Sequence, residues 1–172
     1  CGPDFIDPMF HTKVLGTKSR NLDTFFTGEA GTRMLLRKDG AGSDIAVMEG
    51  VMGYYDGISE TDSRAGASDL ARVTDTPVLL VVNAAGASRS VLALIKGFLD
   101  FQEKPLIRGV ILNKISPMLY PRMKKVIEEE LAVRVAGYLP VLKDSVLESR
   151  HLGLMMPDEV AELQGKMNLL RS

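Results

Sequence analysis

Glu49 is the first residue whose type and setting suggest chemistry. It ends the run Asp44-Ile45-Ala46-Val47-Met48-Glu49, and Gly50, Gly53 and Gly57 follow it. Four apolar residues, Ile45 to Met48, suit a strand buried on both faces of a parallel sheet. A carboxylate at the carboxyl end of such a strand stands where open α/β sheets bind their ligands. Glycines beside it let a backbone come close, and hard carboxylate oxygens suit Mg²⁺ held together with phosphate. The residues alone also allow a plainer reading, a buried strand that ends in an exposed Glu and a Gly-rich turn.

A second candidate lies at the amino end. Asp4 and Asp7 stand among Gly2, Pro3 and Pro8, and Ser19-Arg20-Asn21-Leu22-Asp23 follows with a cation and a third carboxylate. Pro3 and Pro8 fix φ and should push Gly2 and Asp7 into extended geometry. A stiff loop of this kind could hold a metal, or the cationic or hydroxyl groups of a substrate. The alternative is a surface loop followed by a capped helix start.

These residues need a frame. Val78 to Asn83 reads as the clearest buried strand, Ile107 to Asn113 as another with Gly109 inside it, and Val133 to Leu139 as a further one ending at Pro140. Helical patterns lie between them. Ser63 to Thr74 is one. Ser88 can cap a second, with Val91, Leu92, Ile95, Phe98 and Leu99 on one face. Pro117 can start a third, with Met123, Val126, Ile127 and Leu131 inward and Glu128, Glu129 and Glu130 outward. Pro157 opens a last one, with Val160, Leu163, Met167 and Leu170. Alternating strands and helices predict an α/β fold with a mostly parallel sheet. Right-handed crossovers would then bring Glu49, Asn83 and Asn113 to one rim, the two Asn residues either touching ligand or capping loop backbone.

Composition narrows the function classes. With 172 residues, 45% apolar and 25% charged, the chain suits one globular domain with a full core. A net charge of −1 gives no general attraction to nucleic acid or anionic membrane. No apolar run approaches the roughly 20 residues that span a bilayer, and no leader is expected. One cysteine forbids an internal disulfide and fits the cytoplasm.

Six segments together resemble the cobyrinic acid a,c-diamide synthase family, at its amino-terminal synthetase domain. They are Gly2-Pro3-Asp4-Phe5-Ile6-Asp7-Pro8, Ser19-Arg20-Asn21-Leu22-Asp23, Glu49-Gly50-Val51-Met52-Gly53-Tyr54-Tyr55-Asp56-Gly57, Val110-Ile111-Leu112-Asn113-Lys114, Gly137-Tyr138-Leu139-Pro140 and Arg150-His151-Leu152-Gly153-Leu154. They run in the family's order over nearly the whole chain. The nickel-sirohydrochlorin a,c-diamide synthases share these motifs. Cobyric acid synthase and dethiobiotin synthetase are similar in fold but differ after the metal-binding Glu.

The resemblance implies an open, mostly parallel sheet with helices on both faces, of the P-loop NTPase kind, and an ATP-dependent amidoligase. ATP would phosphorylate a substrate carboxylate, and ammonia from glutamine would displace the phosphate. It gives Glu49 to Mg²⁺, Asp4 and Asp7 to catalysis beside the γ-phosphate, and Asn113 and Pro140 to adenine. Arg20 would meet a peripheral carboxylate of the tetrapyrrole substrate, with Tyr54, Asp56 and Gly57 along its side of the cleft. The role of His151 stays open between ligand and packing.

Two family features have no counterpart in the chain, the strand with its G-x-x-x-x-G-K-[ST] phosphate loop and the glutaminase domain. One partial synthetase domain is therefore expected over 1–172, inactive by itself, with very weak ATP affinity and a tendency to form homo-oligomers. Cys1 could be an amino-terminal glutaminase nucleophile, but its neighbours Pro3 and Asp4 belong to the synthetase motif. A different class, a partition-ATPase-like interaction module, shares the architecture; the Asp4/Asp7 segment and the Tyr54-to-Gly57 extension favour the ligase.

Overall fold

The computed structural model describes residues 6–142. The described residues form α1 (Ile6–Leu15), α2 (Thr24–Gly40), α3 (Ala67–Thr74), β1 (Val78–Asn83), α4 (Ser90–Asp100), β2 (Ile107–Asn113), α5 (Tyr120–Leu131) and β3 (Arg134–Leu139). They divide inside α3 into two compact units, 6–70 with Leu142, and Ala71–Val141.

The second unit is α/β, as the alternation of signals requires. Its sheet has the order β1-β2-β3, and both pairings are parallel. Leu80, Val110 and Val135 stand in register across the three strands, and all are buried. Val82 and Leu112 form the next row on that face. Ile95 of α4 and Ile127 of α5 are fully enclosed. Removing such a side chain from water is worth roughly 1.5–3 kcal/mol. Glu128 accepts the Val135 N–H at 2.9 Å, so it ties α5 to the start of β3 rather than pointing outward as expected. The register slips between Val78 and Leu79, opposite Gly109. A Cβ on Gly109 would stand 2.8 Å from Leu79 Cδ2, the far end of a half-exposed side chain that would have to turn aside.

The expected continuous burial of β1 is not found. Leu80 and Val82 are buried, while Leu79 and Val81 are 55% and 59% exposed. Strands added in the order 1-2-3 through right-handed crossovers place both crossover helices on one face. The contact between α4 and α5 agrees with that.

The expected strand over 45–48 is also absent. Residues 45–50 are irregular, and Ile45 and Val47 are 79% and 86% exposed. A strand buried on both faces needs ladder partners, and among the described residues none pairs with this run.

Three helices start later than predicted. α3 begins at Ala67 because 57–66 is spent on a loop closed by an antiparallel bridge between Ser59 and Asp62. Ser88 offers its carbonyl to the Val91 N–H at 3.1 Å, and α4 begins at Ser90 without a side-chain cap. Pro117 lies in the turn before α5, while Pro121 occupies the first turn of that helix.

The amino end holds a larger difference. Asp7 and Pro8 are not in an extended loop but in the first turn of α1. Pro lacks an N–H that would have no partner there, and Asp suits the positive end of the helix dipole. α2 is the capped helix start that the alternative reading of the 19–23 segment allowed, although Gly28 and Gly31 weaken its pattern. Its start is nonetheless well made. Asp23 Oδ1 accepts the N–H groups of Phe25 at 2.6 Å and Phe26 at 3.2 Å. Gly28 then breaks the helix at φ 61°, and the enclosed Thr32 hydroxyl bonds the Gly28 carbonyl at 2.7 Å. Asp4, His151 and the helix expected from Pro157 lie outside the described residues.

Candidate functional site

α1 presents Asp7 and His11 four residues apart, hence on one face. Both line a cavity of about 100 Å³ together with Arg20 and Glu49. His11 Nε2 stands 3.2 Å from Glu49 Oε2. Glu49 is half exposed, so no buried strand end carries it. It meets the residues expected near it from a loop instead. Arg20 Nη1 donates to the carbonyl of Ser19 at 2.8 Å. The cavity therefore offers two carboxylates, a guanidinium and an imidazole. Among the described residues no group of three or more His, Cys, Asp or Glu side chains is gathered as a metal cage.

A second cavity of about 290 Å³ opens beside the first, and Val51 lines both. Its walls are the start of α2, with Asp23 and Phe25, and the loop from Gly50 to Ala67. Asp56 and Gly57 line it, as does the large exposed side chain of Met52. The loop is built by close backbone approach. Asp56 donates its N–H to the Gly53 carbonyl, and Gly53 donates to Asp56 Oδ2, both at 3.0 Å. A Cβ on Gly57 would overlap the Asp62 carbonyl oxygen, and one on Gly66 would overlap that of Asp56. Ile58 donates to Arg64 O at 3.1 Å. The Arg64 guanidinium lies 2.6 Å from Asp62 Oδ2; its hydrogen bond holds the Asp62 carboxyl below the usual range, and the carboxylate raises Arg64 in turn.

Tyr54 is in the core of this unit, 8% exposed, with its ring 4.7 Å from that of Tyr55. Its carbonyl accepts the Ser68 N–H at 3.0 Å. Burial, with a smaller contribution from Tyr55, pushes its phenol up to about 12. Asp69, which the sequence did not mark, joins two walls of the second cavity. Its Oδ2 accepts from Thr24 Oγ1 at 2.8 Å and from the Ala65 N–H at 3.0 Å.

In the other unit, Asn83, Asn113 and Leu139 stand in register at the carboxyl ends of the three strands, and Pro140 follows directly. Asn83 Oδ1 accepts the Ala85 N–H at 3.1 Å, the loop-capping alternative. The Asn113 carbonyl accepts the Ala84 N–H at 2.8 Å, and Ile115 donates to Leu139 O at 3.2 Å. Lys114, at φ 62°, turns the chain sharply after the strand. Tyr120 and Tyr138 stack at 4.1 Å.

His11 and Phe25 were missed as candidates. The four-residue spacing from Asp7 could have found His11. Nothing local marks Phe25, which becomes a wall only once α2 forms.

No helix among the described residues is long and apolar enough to cross a membrane. No family model matches the chain, and no solved structure matches it. Curated relatives do. The cobyrinate a,c-diamide synthase of Caldanaerobacter subterraneus is 42% identical over 170 residues. That of Methanocaldococcus jannaschii is 39% identical over 171 residues, and that of Priestia megaterium 39% over 164. These alignments take in 98%, 98% and 95% of the chain, but 37%, 38% and 36% of the relatives. The chain thus spans little more than a third of the curated relatives it matches.

Proposed function

The chain belongs by sequence to the cobyrinate a,c-diamide synthase family over the segment it spans, and from that premise we propose that it serves ATP-dependent amidation of the a and c side-chain carboxylates of cobyrinate. Glutamine is the proposed source of ammonia. A carboxylate is a poor electrophile because its leaving group would be oxide. Transfer of the γ-phosphoryl group to a carboxylate oxygen gives an acyl phosphate and ADP. Ammonia then attacks the carbonyl carbon, loses a proton, and inorganic phosphate departs with one oxygen of the original carboxylate. Phosphoryl transfer asks the protein chiefly for positioning and charge neutralisation.

The observation that carries this reading is the joint lining of one cavity by Asp7, Arg20 and Glu49. Their chemistry fits the roles. Mg²⁺ takes one or two carboxylates with phosphate and water rather than an all-protein cage, so Glu49 and Asp7 suit it without a third protein ligand. When bound, the ion would neutralise charge on the phosphates. Arg20 suits a bidentate grip on a peripheral carboxylate of the macrocycle. Asp56 and Gly57 are assigned to the tetrapyrrole, with Tyr54 supporting them from the core. Asn113 and Pro140 are assigned to the adenine, and Asp4 to the reacting phosphate.

The test uses the complete enzyme with cobyrinate, Mg-ATP and glutamine. Mass spectrometry should detect a monoamide and then a diamide. With ¹⁸O in the substrate carboxylates, label should pass into inorganic phosphate. Amide formation without that transfer rules out the acyl phosphate, and no amide at all rules out the reaction.

A further inference from the structure

We infer that the larger cavity of the first unit is a subsite for the apolar face of the macrocycle, with Phe25 in contact, and that Asp69 is the positioning residue that sets its width; this rests on the functional reading above. Phe25, Val51, Met52 and Ile58 all line the cavity while remaining large, exposed apolar side chains. Apolar side chains gathered at a concavity mark a ligand site more often than scattered ones do. The two carboxylates at its edge are turned to backbone N–H donors: Asp23 to Phe25 and Phe26, Asp56 to Gly53. The neighbouring cavity, which shares Val51, holds Arg20 and Glu49. An apolar hollow beside a polar one fits a molecule that is apolar across its face and carboxylated around its rim, as a tetrapyrrole acid is.

Asp69 decides how far apart the walls stand. Thr24 lies between the lining residues Asp23 and Phe25, and Ala65 lines the same cavity from the 50–67 loop. One carboxylate oxygen accepts from both. Ala65 has φ 61°, a left-handed geometry that a Cβ disfavours and that persists only where surrounding bonds enforce it. Asp69 is part of that enforcement. Without it, Ala65 is expected to relax toward negative φ and the hollow to lose its shape.

The experiment compares Asp69→Ala, Asp69→Asn and Phe25→Ala in the complete enzyme. Two lost hydrogen bonds predict a rise in KM and Kd for cobyrinate of roughly tenfold in Asp69→Ala, with KM for ATP within about twofold. Asp69→Asn keeps an acceptor and should recover most of the affinity. Phe25→Ala should match Asp69→Ala. Equal loss for both substrates, no loss for cobyrinate, or no recovery by Asn overturns the inference. Thr24→Val removes one of the two bonds and should give an intermediate KM should Asp69→Ala fail to fold; an unchanged KM counts against the latch. A wild-type enzyme that amidates no cobyrinate overturns the functional reading instead. The latch is then read by amide exchange at Ala65, which should speed up in Asp69→Asn less than in Asp69→Ala; equal rates in wild type and Asp69→Ala overturn it.

Discussion

His11 Nε2 faces Glu49 Oε2 across 3.2 Å, so the helix that carries Asp7 also holds one carboxylate of the 44–57 segment. The pairing places a half-exposed acid where two further polar groups, Asp7 and Arg20, line the same cavity. Glu49→Gln preserves shape and removes the charge. Amidation should fall by roughly a hundredfold, the usual cost of deleting one group that stabilises transition-state charge. The rate should also demand more Mg²⁺. His11→Ala orients rather than reacts, so its loss should stay within about tenfold. Initial rates against Mg²⁺ concentration distinguish the two. An unchanged Mg²⁺ requirement in Glu49→Gln removes Glu49 from the metal.

Tyr54 makes a prediction about alkaline stability. Its phenol is raised to about 12 by burial, against 10.0 for an ordinary tyrosine. The native state therefore keeps a proton that the unfolded state releases between these values. Stability from this residue is complete below pH 10 and falls as pH rises toward 12. Tyr54→Phe should reduce this slope, while Tyr55, whose phenol burial also raises, keeps its own share. Urea unfolding at a series of alkaline pH values reads it. Parallel slopes in wild type and variant would put the shift on another group.

Gly57 and Gly66 are each fixed by a carbonyl oxygen where a Cβ would stand. Gly66→Ala should cost about 1–3 kcal/mol, the range for forced overpacking. The loop also walls the larger cavity, so cobyrinate affinity should drop in the same variant. Gly86→Ala is the contrast. Its φ is also positive, 65°, but nothing lies within 4 Å of the added Cβ. It should destabilise through backbone strain alone and leave cobyrinate affinity unchanged. Denaturation and substrate binding, measured on both variants, separate the two effects.

The second unit was legible in the sequence because its signals are local. β2 ran over the residues its apolar run marked, and β1 and β3 differed by at most a residue. Pro77 stands directly before β1 and Pro140 directly after β3. The Glu49 region failed for the opposite reason. Ile45 to Met48 has the composition of a buried strand, but burial depends on ladder partners, which no window of sequence contains. α1 was misread because Pro8 signals both an extended predecessor and a helix first turn. The cavity residues Phe25 and Asp69 stayed hidden because their roles arise only when α2 and α3 meet the 53–66 loop.

The paired asparagines at the strand ends give the last prediction. Asn83 and Asn113 are register partners and look equivalent in sequence. Their bonds differ. The Asn83 side chain already accepts the Ala85 N–H and so shapes its own loop. Asn113 serves the fold through its main-chain carbonyl, which any residue would supply to Ala84. Asn83→Ala should then cost about 1 kcal/mol of stability, one neutral hydrogen bond, with KM for ATP unchanged. Asn113→Ala should leave stability nearly intact and raise KM for ATP roughly tenfold, equivalent to about 1.4 kcal/mol of binding. GTP should compete better in that variant, since an amide side chain that reads adenine discriminates against a base with reversed donors and acceptors. Denaturant midpoints and nucleotide KM values for both variants decide it. Equal nucleotide effects, or a stability loss confined to Asn113→Ala, would return Asn113 to the role of a loop cap.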